Sequence, residues 1–231
     1  MMKLMKYYLI RLKNGSQMKN KIFVGEFIGS ALLVMAIVGS GIMAESLTND
    51  TAVMLLANAV ATGAALYFLI VSISDISGAH FNPFVTLAMY LSKRIKSQLL
   101  PVYFTAQILG CLTGVMLANF FFDYSLIELS SKSRSGINVF VSEIIATFGL
   151  IFIIFRTIKG GKVLVATSVA TFITAGYWFT SSTSFANPAV AIARTFTNTF
   201  TGINYLNTPF FIIAELIGTI LAIYILRNLK N

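Results

Sequence analysis

Long apolar stretches alternate with short polar breaks along this chain, and six of the stretches approach the roughly 20 residues a helix needs to cross about 30 Å of hydrocarbon. They cover residues 22–43, 52–73, 98–121, 137–156, 163–180 and 208–226. Two further apolar runs, Val85 to Leu91 and Ala189 to Ala193, are too short to cross, yet too apolar for a loop in water. Backbone of that kind is tolerated at membrane depth only when buried in protein, so both read as re-entrant half-helices. The pattern therefore predicts an all-α membrane protein with six transmembrane helices and two half-helices.

Composition agrees: of 231 residues, 57% are hydrophobic and 11% charged, with a mean hydropathy of +0.82. A soluble domain needs more polar surface than that, so the lipid bilayer is the expected solvent. The net charge of +9 does not point to nucleic acid, because the basic residues follow the spans. With the N-terminus in the cytoplasm, 14 of 17 Lys and Arg fall on that side, and only Lys132, Arg134 and Arg194 fall outside. This is the positive-inside asymmetry, and it predicts a multi-pass protein of the cell membrane with both termini cytoplasmic. The basic stretch before residue 22 resembles the start of a secretory signal, but the apolar run behind it is too long and contains Glu26, which reads as a retained first span. The single cysteine, Cys111, permits no intrachain disulfide and reads as a small buried hydrophobe.

The two halves match each other in order. Gly25-Glu26-Phe27-Ile28-Gly29 answers Ser142-Glu143-Ile144-Ile145-Ala146, and Ala106-Gln107-Ile108-Leu109-Gly110 answers Ala214-Glu215-Leu216-Ile217-Gly218. Between them, Ser77 to Val85 (SGAHFNPFV) answers Ser182 to Val190 (STSFANPAV). Each half holds three spans, an odd number, so the second copy enters the membrane from the opposite side and the repeat is inverted. The expected organisation is a basic cytoplasmic N-terminal segment (1–21), a first half (22–121), an extracellular connecting loop (122–136) and a second half (137–228).

Both half-helices begin at Asn-Pro. Proline is favoured at the first helical position and asparagine is a good N-cap, so Asn82-Pro83-Phe84 and Asn187-Pro188-Ala189 read as helix starts. Inverted symmetry brings the two starts together near the bilayer midplane. Each contributes about half a positive charge there, which repels cations and hydronium, while the amide donors can hold one passing oxygen at a time.

Two such motifs between matched spans resemble the aquaporins and aquaglyceroporins, the major intrinsic proteins, over nearly the whole chain. The resemblance implies a homotetramer with one pore per subunit, passive conduction of small uncharged solutes, no cofactor and no enzymatic activity. It also implies a selectivity filter, which ungapped counting from the two asparagines places at Thr62, Ala175, Ser184 and Val190. Most members carry arginine where this chain has Val190, and the next arginine, Arg194, lies one turn on. Arg194 either lines the outer mouth or caps the half-helix C-terminus. A filter of Thr, Ala, Ser and Val is small and uncharged, which implies passage of glycerol-like polyols, and of metalloid acids such as arsenite, besides water. The pattern also looks like a bacterial subgroup with valine in place of that arginine, associated with arsenical transport. Phe84 replaces the usual alanine, and either alters how the half-helices meet or repacks.

Glu26 and Glu143 lie within spans, where an acid is costly and usually functional. The resemblance assigns them to holding the re-entrant loops; a proton relay in an ion-coupled secondary transporter is the competing reading. The resemblance implies that His80, the only histidine, lines the pore, a loop brace being the alternative, and Asp75 reads as a loop residue bound to backbone donors or solvent. The spacings Gly25/Gly29 and Gly110/Gly114 suggest close helix contacts. Tyr103, Phe120, Phe121, Phe122, Tyr124, Tyr177 and Trp178 suggest an interfacial belt. No nucleophile with a base, metal-ligand cluster or phosphate loop is apparent in the sequence.

Overall fold

The computed structural model describes the backbone of residues 2–229 and side chains from Gly15 onward. The basic residues Lys3, Lys6, Arg11, Lys13 and Lys230 lie outside the described side chains. Among the described residues the chain is helical with no strand: α1 (Met2–Leu47), α2 (Thr51–Ser77), α3 (Pro83–Leu91), α4 (Leu100–Phe121), α5 (Ile137–Thr157), α6 (Lys162–Phe179), α7 (Pro188–Ala193) and α8 (Thr208–Asn228). Six of these, all but α3 and α7, are long and apolar enough to cross a membrane.

Helix α1 runs for 46 residues, well past the expected 22–43, because its basic N-terminal extension contains no proline to stop it. Helix α2 starts at Asp50, whose carboxylate accepts from the Ala52 and Val53 N–H groups, and ends at Gly78, a left-handed cap at φ 94°. Asp75 therefore sits in the last turn of α2 rather than in a loop. It pairs with Lys162 at the start of α6 (2.5 Å), not with backbone donors.

The two halves pack alike. A Cβ on Gly110 would strike the Phe27 carbonyl of α1, and a Cβ on Gly218 would strike the Ile144 carbonyl of α5. These are equivalent positions of the two halves, and in each a bare glycine lets the third span of the half lie directly on the first. Gly114 does the same against Ala31. Gly25 likewise lets α1 lie on α2 at Ser77 and Ile73, whereas Gly29 differs from expectation and makes room for the Phe81 ring. Helices α2 and α6 join the halves, with Thr174 packed over Gly63 and the Thr62 hydroxyl 3.0 Å from Tyr177 Oη.

The aromatic residues divide. Phe120, Phe121 and Trp178 face outward, as an interfacial belt requires. Tyr103 and Tyr177 do not belong to it: both are buried, Tyr103 donating to the Ser77 carbonyl (2.5 Å) and Tyr177 facing the interior of the bundle.

Candidate functional site

Both half-helices begin at the predicted corners. Asn82 caps α3, its Oδ1 accepting from Phe84 N (2.8 Å) and Val85 N (3.4 Å), and Asn187 caps α7, accepting from Ala189 N (3.1 Å) and Val190 N (3.4 Å). The two tips then clasp each other. Asn82 Nδ2 donates to the Ala186 carbonyl (2.7 Å) and Asn187 Nδ2 donates to the Phe81 carbonyl (2.8 Å). Each amide has two N–H groups, so each keeps one hydrogen for a solute oxygen. Both asparagines line a cavity of about 220 Å³ that runs from Ser74, Ile158 and Lys162 at one end to Ser184, Phe185 and Arg194 at the other.

The loops leading to the tips are strained in the same way. Ala79 and Phe81 before the first asparagine, and Ser184 and Ala186 before the second, all adopt positive φ. Left-handed backbone costs a non-glycine residue about 1–2 kcal/mol, so something must hold it. Buried acids do. Glu26 Oε1 accepts from Ser77 Oγ (2.6 Å) and His80 N (3.0 Å), and its Oε2 from Phe81 N (2.7 Å) and Gln107 Nε2 (2.7 Å). In the second half Glu143 accepts from Phe185 N (3.3 Å) and Ala186 N, and Glu215 accepts from Asn187 N (2.9 Å). The acids turn toward backbone donors and none of the three lines the cavity, so the geometry supplies no proton relay.

Most of the cavity lining is apolar, with Leu66, Ile70, Val85, Leu150, Val169 and Ile173 among its residues, and a few polar groups interrupt it. His80 both lines the cavity and braces its loop, with Nδ1 3.0 Å from Thr86 Oγ1 and its ring stacked on Tyr103 at 4.7 Å. At the opposite mouth Thr62, Ser184, Val190 and Arg194 all line the cavity, and the Ser184 hydroxyl is buried without a partner among the described residues.

Ala175 does not join them: it is exposed on the outer face of α6, and Tyr177 stands in the cavity instead. Two helical positions are about 200° apart around the axis, so an ungapped count that is off by two lands on the wrong side. Helix α6 ends at Phe179 and irregular backbone separates it from Asn187, so counting along the sequence does not carry the helical phase across.

Arg194 is 2% exposed. Its Nε donates to the Thr201 carbonyl (2.5 Å) and its guanidinium lies 3.5 Å from the centroid of the Phe185 ring. Its backbone is the C-cap of α7, but its guanidinium is turned to Thr201 and Phe185 and lines the cavity, which is the mouth-lining alternative. Arg134 fixes the segment that receives it, through Nε to Gly202 O (2.9 Å) and Nη2 to Phe200 O (3.2 Å). Burial first pulls the two cations of the segment before α5 below their ordinary ranges, Arg134 to about 10, and Lys132 with a further contribution from Arg134. Phe84 is half-buried and lies off the cavity, which is the repacking alternative.

Tyr177, Phe185 and Glu215 were not singled out as site residues in the sequence. Glu215 carried a signal, since it occupies the repeat position of Gln107. Tyr177 and Phe185 carried none beyond their closeness to the second motif.

Six helices of membrane-spanning length around a cavity, with two half-helix tips clasped beside it, fit a multi-pass membrane channel. The chain belongs to the major intrinsic protein family, whose profile, described as Major intrinsic protein, matches residues 13–181. It is 48% identical to aquaglyceroporin AqpS of Rhizobium meliloti (strain 1021) over 204 residues, 88% of each chain. It is 34% identical to the probable aquaporin TIP2-2 of Oryza sativa subsp. japonica over 148 residues, 62% of this chain and 58% of that one. The X-ray structure of the aquaglyceroporin from Plasmodium falciparum shares the fold, with a TM-score of 0.72 at 22% identity over 89% of this chain and 94% of that one. The protein is a passive channel, not an enzyme and not an ion-coupled transporter.

Proposed function

We propose that this channel conducts water and uncharged polyols of glycerol size, together with hydroxylated metalloid acids such as arsenite, and excludes ions and protons. The observation that carries the reading is the clasp of Asn82 and Asn187, which leaves one N–H from each amide directed to a cavity with an otherwise largely apolar wall. A glycerol-sized solute can turn its carbon edge to Leu66, Ile70 and Val169 and its hydroxyl oxygens to the two amides, whereas an ion finds too few ligands to replace its water. A cation also meets Arg194 in a site of low dielectric.

The filter of this reading comprises Thr62, Tyr177, Ser184 and Val190, with Arg194 behind them. Valine beside the second tip leaves a less polar aperture than arginine there, and the tyrosine narrows it with a ring whose hydroxyl is engaged by Thr62 (3.0 Å). The similarity to a relative named an aquaglyceroporin supports the polyol component. We place the protein in the cell membrane as a homotetramer with cytoplasmic termini, on the charge asymmetry and family membership; native mass spectrometry and protease access to tagged termini test these.

The deciding experiment is stopped-flow light scattering of proteoliposomes under inward gradients of glycerol, urea and arsenous acid, alongside osmotic water flow. Glycerol entry should exceed the lipid background and be indifferent to proton and sodium gradients. Uptake driven by either gradient, or no entry above background, overturns the reading.

A further inference from the structure

Each half-helix tip is held by a matched pair, one residue from the first span of the half and one from the third: Glu26 with Gln107, and Glu143 with Glu215. In the first pair the contact between the two side chains carries a hydrogen, although Gln107 Oε1 is itself buried without a donor among the described residues. Gln107 turns Nε2 to Glu26 Oε2 (2.7 Å), so an amide N–H lies between the two side chains.

The second pair lacks that hydrogen. Glu143 spends its two oxygens on Phe185 N and Ala186 N, and Glu215 Oε1 accepts from Asn187 N (2.9 Å). Glu215 Oε2 is fully buried with no donor among the described residues, and the two carboxyl groups are neighbours because they accept from successive backbone N–H groups, Glu143 from Ala186 and Glu215 from Asn187. Two ionised carboxylates in contact inside a membrane protein repel each other strongly, and carboxyl pairs so placed keep a proton between them. The other charged and titratable side chains of this end are Arg194 at the end of α7, Arg134 in the segment before α5 and Tyr177 of α6.

We propose that Glu143 and Glu215 share one proton, carried between Glu215 Oε2 and Glu143, and that Glu215 is thereby a positioning residue for the second tip. The shared proton does for the second half what the Gln107 amide hydrogen does for the first. It lets two acids from different helices hold three successive N–H groups, at Phe185, Ala186 and Asn187, and so fixes the amide that faces the conduit. The direction of pH dependence follows: removing the proton leaves two adjacent anions and loosens the tip, so conduction falls toward alkaline pH.

The transport consequence rests on the channel reading, and the spectroscopic one does not. Infrared spectra of the purified full chain at neutral pH should show a protonated carboxyl C=O band that is absent from Glu215→Gln. Glycerol entry into proteoliposomes should be near wild type in Glu215→Gln, with a flatter alkaline limb, because an amide cannot lose its hydrogens. Glu215→Leu, which supplies neither acceptor nor donor, should lose most conduction. A missing band in the wild type, a band retained in Glu215→Gln, an unchanged alkaline limb in that variant, or wild-type conduction by Glu215→Leu overturns the proposal. Wild-type vesicles that pass no glycerol at any pH, with the band behaving as expected, would instead sink the channel reading alone.

Discussion

The two half-helix tips share a backbone and differ in their chemistry. Each has left-handed residues one and three positions before its asparagine, a carboxylate from the first span of its half and an aromatic pair beneath: His80 on Tyr103 at 4.7 Å, and Phe185 on Phe211 at 4.8 Å. Around the first tip, however, the packing is polar. His80, Thr86 and Gln107 form a chain of hydrogen bonds to Glu26. Around the second tip those positions hold Phe185, Ala191 and Glu215, and the polarity is displaced to Arg194 and Ser184 in the mouth. The comparison teaches that the repeat fixes where the backbone must be pinned, whereas the side chains that pin it, and those that meet the solute, are free to differ between the two ends.

The comparison can be broken most severely at the acids. Glu26→Leu strands four donors at once, and an unsatisfied buried donor costs about 1–3 kcal/mol, so this variant should lose folded protein in detergent and all glycerol conduction. Glu143→Leu strands two backbone donors and leaves Glu215 to the third, so its unfolding temperature should fall less than that of Glu26→Leu. Equal losses would mean that the tips are not held as described.

A smaller effect is expected at the filter, on the second side only. Val190→Arg should reduce glycerol entry by about tenfold, equivalent to ~1.4 kcal/mol in the barrier, and osmotic water flow by less. Equal reduction of both solutes would remove Val190 from the filter. Tyr177→Ala should shift selectivity the other way, raising glycerol entry relative to water in the same assay, while Ala175→Leu, on the outer face, should leave both within experimental scatter.

The glycines should report the symmetry. Gly110→Ala and Gly218→Ala each push a methyl into a carbonyl of the facing helix, at a cost of about 1–3 kcal/mol, and their unfolding temperatures should drop alike. The smallest effect belongs to Phe84→Ala. Its ring is half-buried and off the cavity, so solute selectivity in proteoliposomes should not change.

Much of this molecule was legible in its residues because the bilayer imposes coarse rules. Span length, the odd number of spans per half and the Asn-Pro corners fix six crossings and two buried helix starts without reference to any contact. The acids were legible too, since Glu26 and Glu143 within apolar runs had to find donors. Helical phase was not. Thr62 and Val190 fall in the cavity by simple counting, but between Ala175 and Tyr177 the count fails, because a loop of irregular backbone separates α6 from Asn187 and its length does not determine which face of α6 turns inward. The same holds for Arg194, whose place in the mouth depends on the Thr201 carbonyl and on Arg134, parts of a segment with no regular pattern to read.

The residues in order determined the spans, the inverted halves and the two helix starts, because each follows from local hydrophobicity and capping. Tertiary structure alone decided that Tyr177 rather than Ala175 faces the solute, that the asparagines spend one N–H each on the opposite loop, and that Glu215 meets Glu143. Those facts depend on the relative rotation and depth of helices distant in sequence, and no local preference sets them.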